Sequence, residues 1–210
     1  IFSWRWKNIK AIAAVVIPAL EGLFGKYNVR IGEERTVTIG NNKLVIGMAY
    51  DAFSYRRYEG DKLQAESMIL AGLGEVTIGI FPCPPLLTPS QVAKSVYLKF
   101  RSPVILEQRS ETVLYSKIPI EIGVYRQSED EEILLDAFSL AKQKYALYGP
   151  PETGIVCRFS EAELTTKEGA VEVKRYEEAA MRIHIRNITD NVVKVGRVII
   201  PMQDVVLDHL

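Results

Sequence analysis

Histidine and cysteine each occur only twice in 210 residues, and that scarcity closes most routes to metal or nucleophile chemistry. His184 and His209 cannot by themselves form a clustered ligand set, and the first sits on the polar face of an alternating stretch between Arg182 and Arg186. Cys83 and Cys157 lie far apart in apolar surroundings, with no CxxC knuckle. The expected state is two buried thiols in a reducing cytoplasm, with one long-range disulfide as the alternative. Net charge is missing as well: Lys plus Arg equals Asp plus Glu at 26 each, so no overall field draws the chain onto nucleic acid or an anionic membrane. Asn and Gln are scarce, six of each. Beside abundant Ile, Val, Glu, Lys and Arg, this depletion of heat-labile side chains suggests a thermophilic source.

No apolar run is long enough for a spanning helix, which needs about 20 residues. The longest, Ala11 to Leu20, is bounded by Arg5, Lys7 and Lys10 on one side and Glu21 on the other, with Pro18 inside it. "PALEGLFG" also makes a poor signal-peptide cleavage site. Residues 1–26 therefore read as an apolar or amphipathic helix, with an interfacial anchor as the alternative. The chain opens at Ile1 rather than Met, as a fragment would.

What is present is enough apolar material for a core, 48% hydrophobic residues against 25% charged. From Tyr27 on, its dominant period is two. In "ERTVTIGNNKLVIGMAY" Val37 and Ile39 alternate with Thr36 and Thr38 up to a turn at Asn41 and Asn42. "SVYLKF" turns Val96, Leu98 and Phe100 inward. Met181, Ile183 and Ile185 alternate with Arg182, His184 and Arg186, and Val193 to Ile200 reads as the returning partner strand. Short strands split by Gly, Pro and Asn turns predict an all-β, antiparallel, sandwich-like protein with an N-terminal helix. The proline cluster Phe81 to Ser90 cannot sit in a central strand. The expected organisation is a helix over 1–26, an N-terminal β half over 27–88 and a C-terminal β-sandwich half over 89–210.

"YGPPETG", residues 148–154, has the glycine spacing of a phosphate loop. The Lys and Ser/Thr that such a loop needs are replaced by Ile155 and Val156, and Pro150, Pro151 and Glu152 remove donors and add negative charge. A tight turn between strands is the expected structure. No G-x-S-x-G elbow is present, and spacing leaves a pairing of Cys157 or Cys83 with His184 open. Scattered carboxylates are the remaining acid–base candidates: Asp51, Glu121 and above all Asp136, whose setting in "ILLDAFSL" demands either a cationic partner or a pocket. "AFSYRRYEG" joins arginines to aromatics. Tyr55, Arg56, Arg57 and Tyr58, with Lys142, Lys144 and Arg158, are the expected ligand- or partner-binding residues.

"YRRY", "PIEIGV" (119–124), "LLDAFSLAKQKYALYGPPETGIVCRF" (134–159) and "RNITDNVVKVGRVIIP" (186–201) together resemble an uncharacterised, largely archaeal family, the domain of unknown function numbered 432. The resemblance covers roughly Phe24 to Pro201 and brings no established activity, cofactor or catalytic residue with it. Relatives joined to membrane channel proteins imply a regulatory or assembly module. The expectation is a cytoplasmic, non-catalytic interaction module that binds a protein partner, a second copy of itself or a small anion, with no cofactor, metal, nucleic acid or membrane span. The alternatives are a hydrolase-like enzyme using Asp136 or Glu121 in a cleft between the halves, and single-stranded nucleic-acid binding through Tyr55, Arg57 and Tyr58.

Overall fold

Alternation of apolar and polar residues becomes strand after strand in the computed structural model. It describes residues 3–6, 9–17, 23–50, 52–70, 74–85, 93–127, 131–201 and 207–209, with the backbone alone for the first two segments and the last. All regular elements among these residues are strands. They divide between two units, one formed by Ile1–Ala19, Pro84–Glu121 and Ala141–Leu210, the other by Leu20–Cys83 and Ile122–Leu140. Residues 122–140, read from sequence as part of the C-terminal half, thus build with 20–83.

The smaller unit contains two four-stranded antiparallel sheets. One has the order β4 (Glu34–Ile39), β5 (Asn42–Ala49), β6 (Ala52–Glu59), β7 (Lys62–Leu70). The other runs β12 (Glu132–Phe138), β11 (Glu121–Gln127), β8 (Glu75–Cys83), β3 (Gly25–Arg30). Every second residue is buried: Val37 and Ile39 on β4, Leu44 and Ile46 on β5, Phe53 and Tyr55 on β6, Val76, Ile78 and Ile80 on β8, Ile122 and Val124 on β11. The β4–β5 turn falls on Gly40 and Asn41, because Ile39 pairs with Asn42. Gly40 takes a left-handed φ of 58°. The Leu140 side chain lies 3.1 Å from where its Cβ would stand, so both backbone and packing select glycine.

In the larger unit one sheet has the order β1 (Ser3–Trp6), β2 (Ile9–Ile17), β15 (Glu178–Asn187), β10 (Glu111–Pro119), with β17 (Leu207–His209) parallel to β2. The other has the order β13 (Tyr145–Tyr148), β14 (Ile155–Ala162), β9 (Ser95–Leu106), β16 (Val193–Pro201), in which β14 and β9 are parallel. Val96, Leu98 and Phe100, and Met181, Ile183 and Ile185, are all buried as their alternation predicts.

Two expectations are corrected. Among the described residues there is no N-terminal helix, since Ile9–Ile17 is a strand paired antiparallel with β15 from Ile9↔Asn187 to Val16↔Ala180. Five of its nine residues are β-branched, which favours strand once a hydrogen-bonding edge is available. Nor does Val193–Pro201 return beside β15: it pairs with β9, and β15 lies between β2 and β10. The cause is Asn187, fully buried at the corner. Its amide donates to the carbonyls of Glu107 at 2.8 Å and Asn191 at 2.7 Å, and its Oδ1 accepts from the Thr189 amide at 3.0 Å and hydroxyl at 2.8 Å. A hairpin is thereby replaced by a turn that sends the chain to the other sheet. Asn187→Ala leaves several buried polar groups unpaired, so it should cost roughly 2–4 kcal/mol in urea unfolding. An unchanged midpoint would refute the corner's role.

Candidate functional site

Strand alternation splits the Tyr-Arg cluster between two faces. Phe53, Tyr55 and Arg57 share the inner face of β6, opposite Met48, Ile46 and Leu44. Arg56 points the other way and pairs across the strand with Glu66, Nε to Oε1 2.8 Å. Tyr58 is half-buried, and a bulge between Arg57 and Tyr58 interrupts the register at this end. The four residues therefore form no single exposed strip. Tyr55 is wholly buried, which removes it from any base-stacking surface.

Asp136 reaches the same inner face from β12. A bulge on β12, where Leu135 is the extra residue opposite the Val124–Tyr125 step, changes the parity there, so Leu134 pairs with outward Tyr125 while Asp136 pairs with buried Val124. Inside, its carboxylate accepts from Arg57 Nε at 2.6 Å and from the Tyr55 hydroxyl at 2.8 Å. Arg57 also donates to Asn42 Oδ1 at 3.0 Å, and its guanidinium lies 4.7 Å from the Phe138 ring centre. Burial first, then the charge of Asp136, pushes the Tyr55 phenol far above its ordinary range, so it remains a donor. The demand that Asp136 find a cation or a pocket is met by a cation.

Glu121 and Arg158 repeat the solution in the larger unit. Arg158 Nη2 donates to Glu121 Oε1 at 2.5 Å, with side-chain exposures of 5% and 0%. Arg158 shares its strand face with Tyr145, its partner in the β13–β14 register, and the guanidinium lies 5.1 Å from the Tyr145 ring centre. That ring is 41% exposed, beside Leu147 at 47% and Val156 at 41%, which pair with each other on the same face. Ile155, 48% exposed, projects from the opposite face. Lys142 and Lys144 are exposed just before Tyr145. Behind the hairpin, Tyr97 packs against Tyr148 and Phe159 with centroids 6.0 and 5.7 Å away, which braces its base.

The "GPPETG" loop is the turn of this hairpin. The amides of Thr153 and Gly154 donate to the Pro150 carbonyl at 3.2 and 2.7 Å instead of converging on an anion. Gly149 has φ +108°, and a Cβ there would lie 2.9 Å from Gly154 Cα. The two glycines are explained by closure of the turn.

Among the described residues no group of three His, Cys, Asp or Glu is placed to hold a metal ion. His184 lies with Nε2 3.4 Å from Glu111 on the sheet's polar face, and the side chain of His209 is outside the described residues, as is Asp51. Cys83 and Cys157 are both buried, and burial pushes the Cys157 thiol up, away from the thiolate a nucleophile needs.

Residues 23–209 match the family described as Protein of unknown function (DUF432). The chain belongs to that family. Comparison with curated proteins and with solved structures gives no match. Within the DUF432 segment, the stretches that carried the resemblance hold all four members of the two buried pairs: Arg57 in "YRRY", Glu121 in "PIEIGV", and Asp136 and Arg158 in 134–159. The sequence reading found each of these residues and required a cation or a pocket for Asp136, but it joined no two of them as partners. Tyr145, Leu147, Ile155 and Val156 were missed as a surface, although Leu147 and Ile155 flank a turn as large apolar residues, which is their visible signal.

For the DUF432 domain, Asp136→Ala strands a buried guanidinium and should lose about 3–5 kcal/mol of stability, whereas Arg57→Met/Asp136→Leu removes both charges and should recover most of it. Equal losses in the two proteins, measured by chemical denaturation, would mean that the pair is not coupled.

Proposed function

We propose that the chain is a non-catalytic interaction module that docks a protein partner on the exposed Tyr145, Leu147 and Val156 face of the β13–β14 hairpin. The observation that carries this reading is the contrast between consumed charges and unconsumed apolar surface. Arg57 and Asp136, and Arg158 and Glu121, are matched inside their own units, which weighs against both an acid–base pair and an anion grip by those arginines. Tyr145, Leu147 and Val156 meanwhile stand exposed together on an edge hairpin, with Lys142 and Lys144 at its rim. An apolar centre with an aromatic anchor and a polar rim is the anatomy of a protein-binding patch. The Arg158 guanidinium under Tyr145 holds that anchor in place before binding, which lowers the entropy lost on association.

The test compares affinity capture from the source cell by the wild-type chain and by Leu147→Asp, an exposed substitution that should leave the melting temperature within a few degrees. The expected result is a partner held by the wild type and lost, by at least tenfold, from the variant. A partner retained equally by a folded Leu147→Asp would overturn the assignment of this face.

A further inference from the structure

The segment after β14 is tied to β10 on both of that strand's edges. On the free edge Thr165 and Tyr115 exchange both backbone hydrogen bonds, at 3.0 and 2.7 Å, and on the β15 side the Ile120 amide donates to the Glu177 carbonyl at 3.0 Å, one step beyond Pro119↔Glu178. Between these ties residues 166–176 arch from the free edge of β10 to its β15 edge. The arch is internally braced: Lys167 N donates to Thr165 Oγ1, Ala170 N to the Lys167 carbonyl, and Lys174 N to Glu178 Oε2. Beneath it lies a cleft of about 390 Å³, lined by Lys117 of β10, Glu163, Leu164 and Thr165 on the approach, and Ala170, Val171 and Glu172 on the arch. That volume falls within the range of small-molecule sites.

The lining carries both signs of charge around an apolar middle. Lys117 is held by Glu178 at 3.1 Å and keeps two further N–H donors, with 42% of its side chain exposed. Glu163 is paired with Arg101. Glu172 is exposed and pairs with no cation among the described residues. Backbone geometry adds a further element. The alternation that sends the Tyr115 amide and carbonyl outward to Thr165 sends those of Lys117 to the same free edge, into the cleft. A donor and an acceptor of a strand are thus presented beside a cation, a carboxylate and the side chains of Leu164 and Val171.

We propose that this cleft binds a small zwitterion of the amino-acid or short-peptide class, its carboxylate on Lys117, its ammonium on Glu172, its backbone along the Lys117 edge and its apolar side chain on Leu164 and Val171. The site is separate from the hairpin face, and neither assignment rests on the other.

The test is titration of the full chain with alanyl-leucine, leucine, isoamylamine and N-acetylleucine, followed by calorimetry and by amide chemical shifts. Saturable binding of alanyl-leucine or leucine, with shifts confined to residues 115–120 and 163–172, is the expected result. Isoamylamine, lacking the carboxylate, and N-acetylleucine, lacking the ammonium, should each bind at least tenfold more weakly. Glu172→Gln, at an exposed position, should weaken the zwitterion at least tenfold without moving the melting temperature, and Lys117→Met should do the same to affinity. Equal binding of the amine alone, equal binding of the acid alone, shifts elsewhere on the chain, or no saturable binding by either zwitterion would each overturn the proposal.

Discussion

A charge placed on the inner face of a strand must be paired there or destabilise the protein, and both units of this chain are organised around that constraint. Arg57 follows Phe53 and Tyr55 at period two, so it cannot avoid the interior once those residues enter it. Asp136 arrives opposite because a bulge on its ladder turns it inward. Arg158 and Glu121 meet under the same requirement. Such pairs add little net stability compared with well-packed apolar residues, but an unpartnered member is costly. They therefore act chiefly as constraints of register and of partner choice.

This constraint changes how the polar residues are interpreted. An arginine beside tyrosines suggests ligand recognition when it is read as a flat string. Placed on alternating faces, the same string gives one surface arginine in a cross-strand ion pair and one interior arginine in a network. The residues with most chemical potential are thus occupied in holding the fold, and the surface we propose for protein docking is apolar. The mixed-charge cleft beside β10 is a separate resource, made by an arch rather than by a sheet face.

Much of the fold was legible because alternation is a direct image of a half-buried strand. Thr36 to Ile39, Val96 to Phe100 and Met181 to Arg186 all expose and bury the residues that their pattern assigns. The failures have physical causes. Ile9–Ile17 is apolar almost throughout, so it has no period to separate strand from helix, and its pairing with β15 is a contact across most of the chain length. The turn after Asn187 looked like a hairpin because nothing local reveals that a buried amide is tied to Glu107, eighty residues earlier. The site was legible residue by residue and not as pairs, since Arg57 and Asp136 are 79 positions apart and Glu121 and Arg158 are 37 apart.

We propose recognition at the β13–β14 face and not at the arginine–carboxylate networks. Amide hydrogen exchange tests it directly, comparing the chain alone with the chain bound to its captured partner. The expected result is slowed exchange across residues 142–158, with β6 unchanged from Ala52 to Glu59. Slowed exchange on β6 with the hairpin unchanged would contradict it.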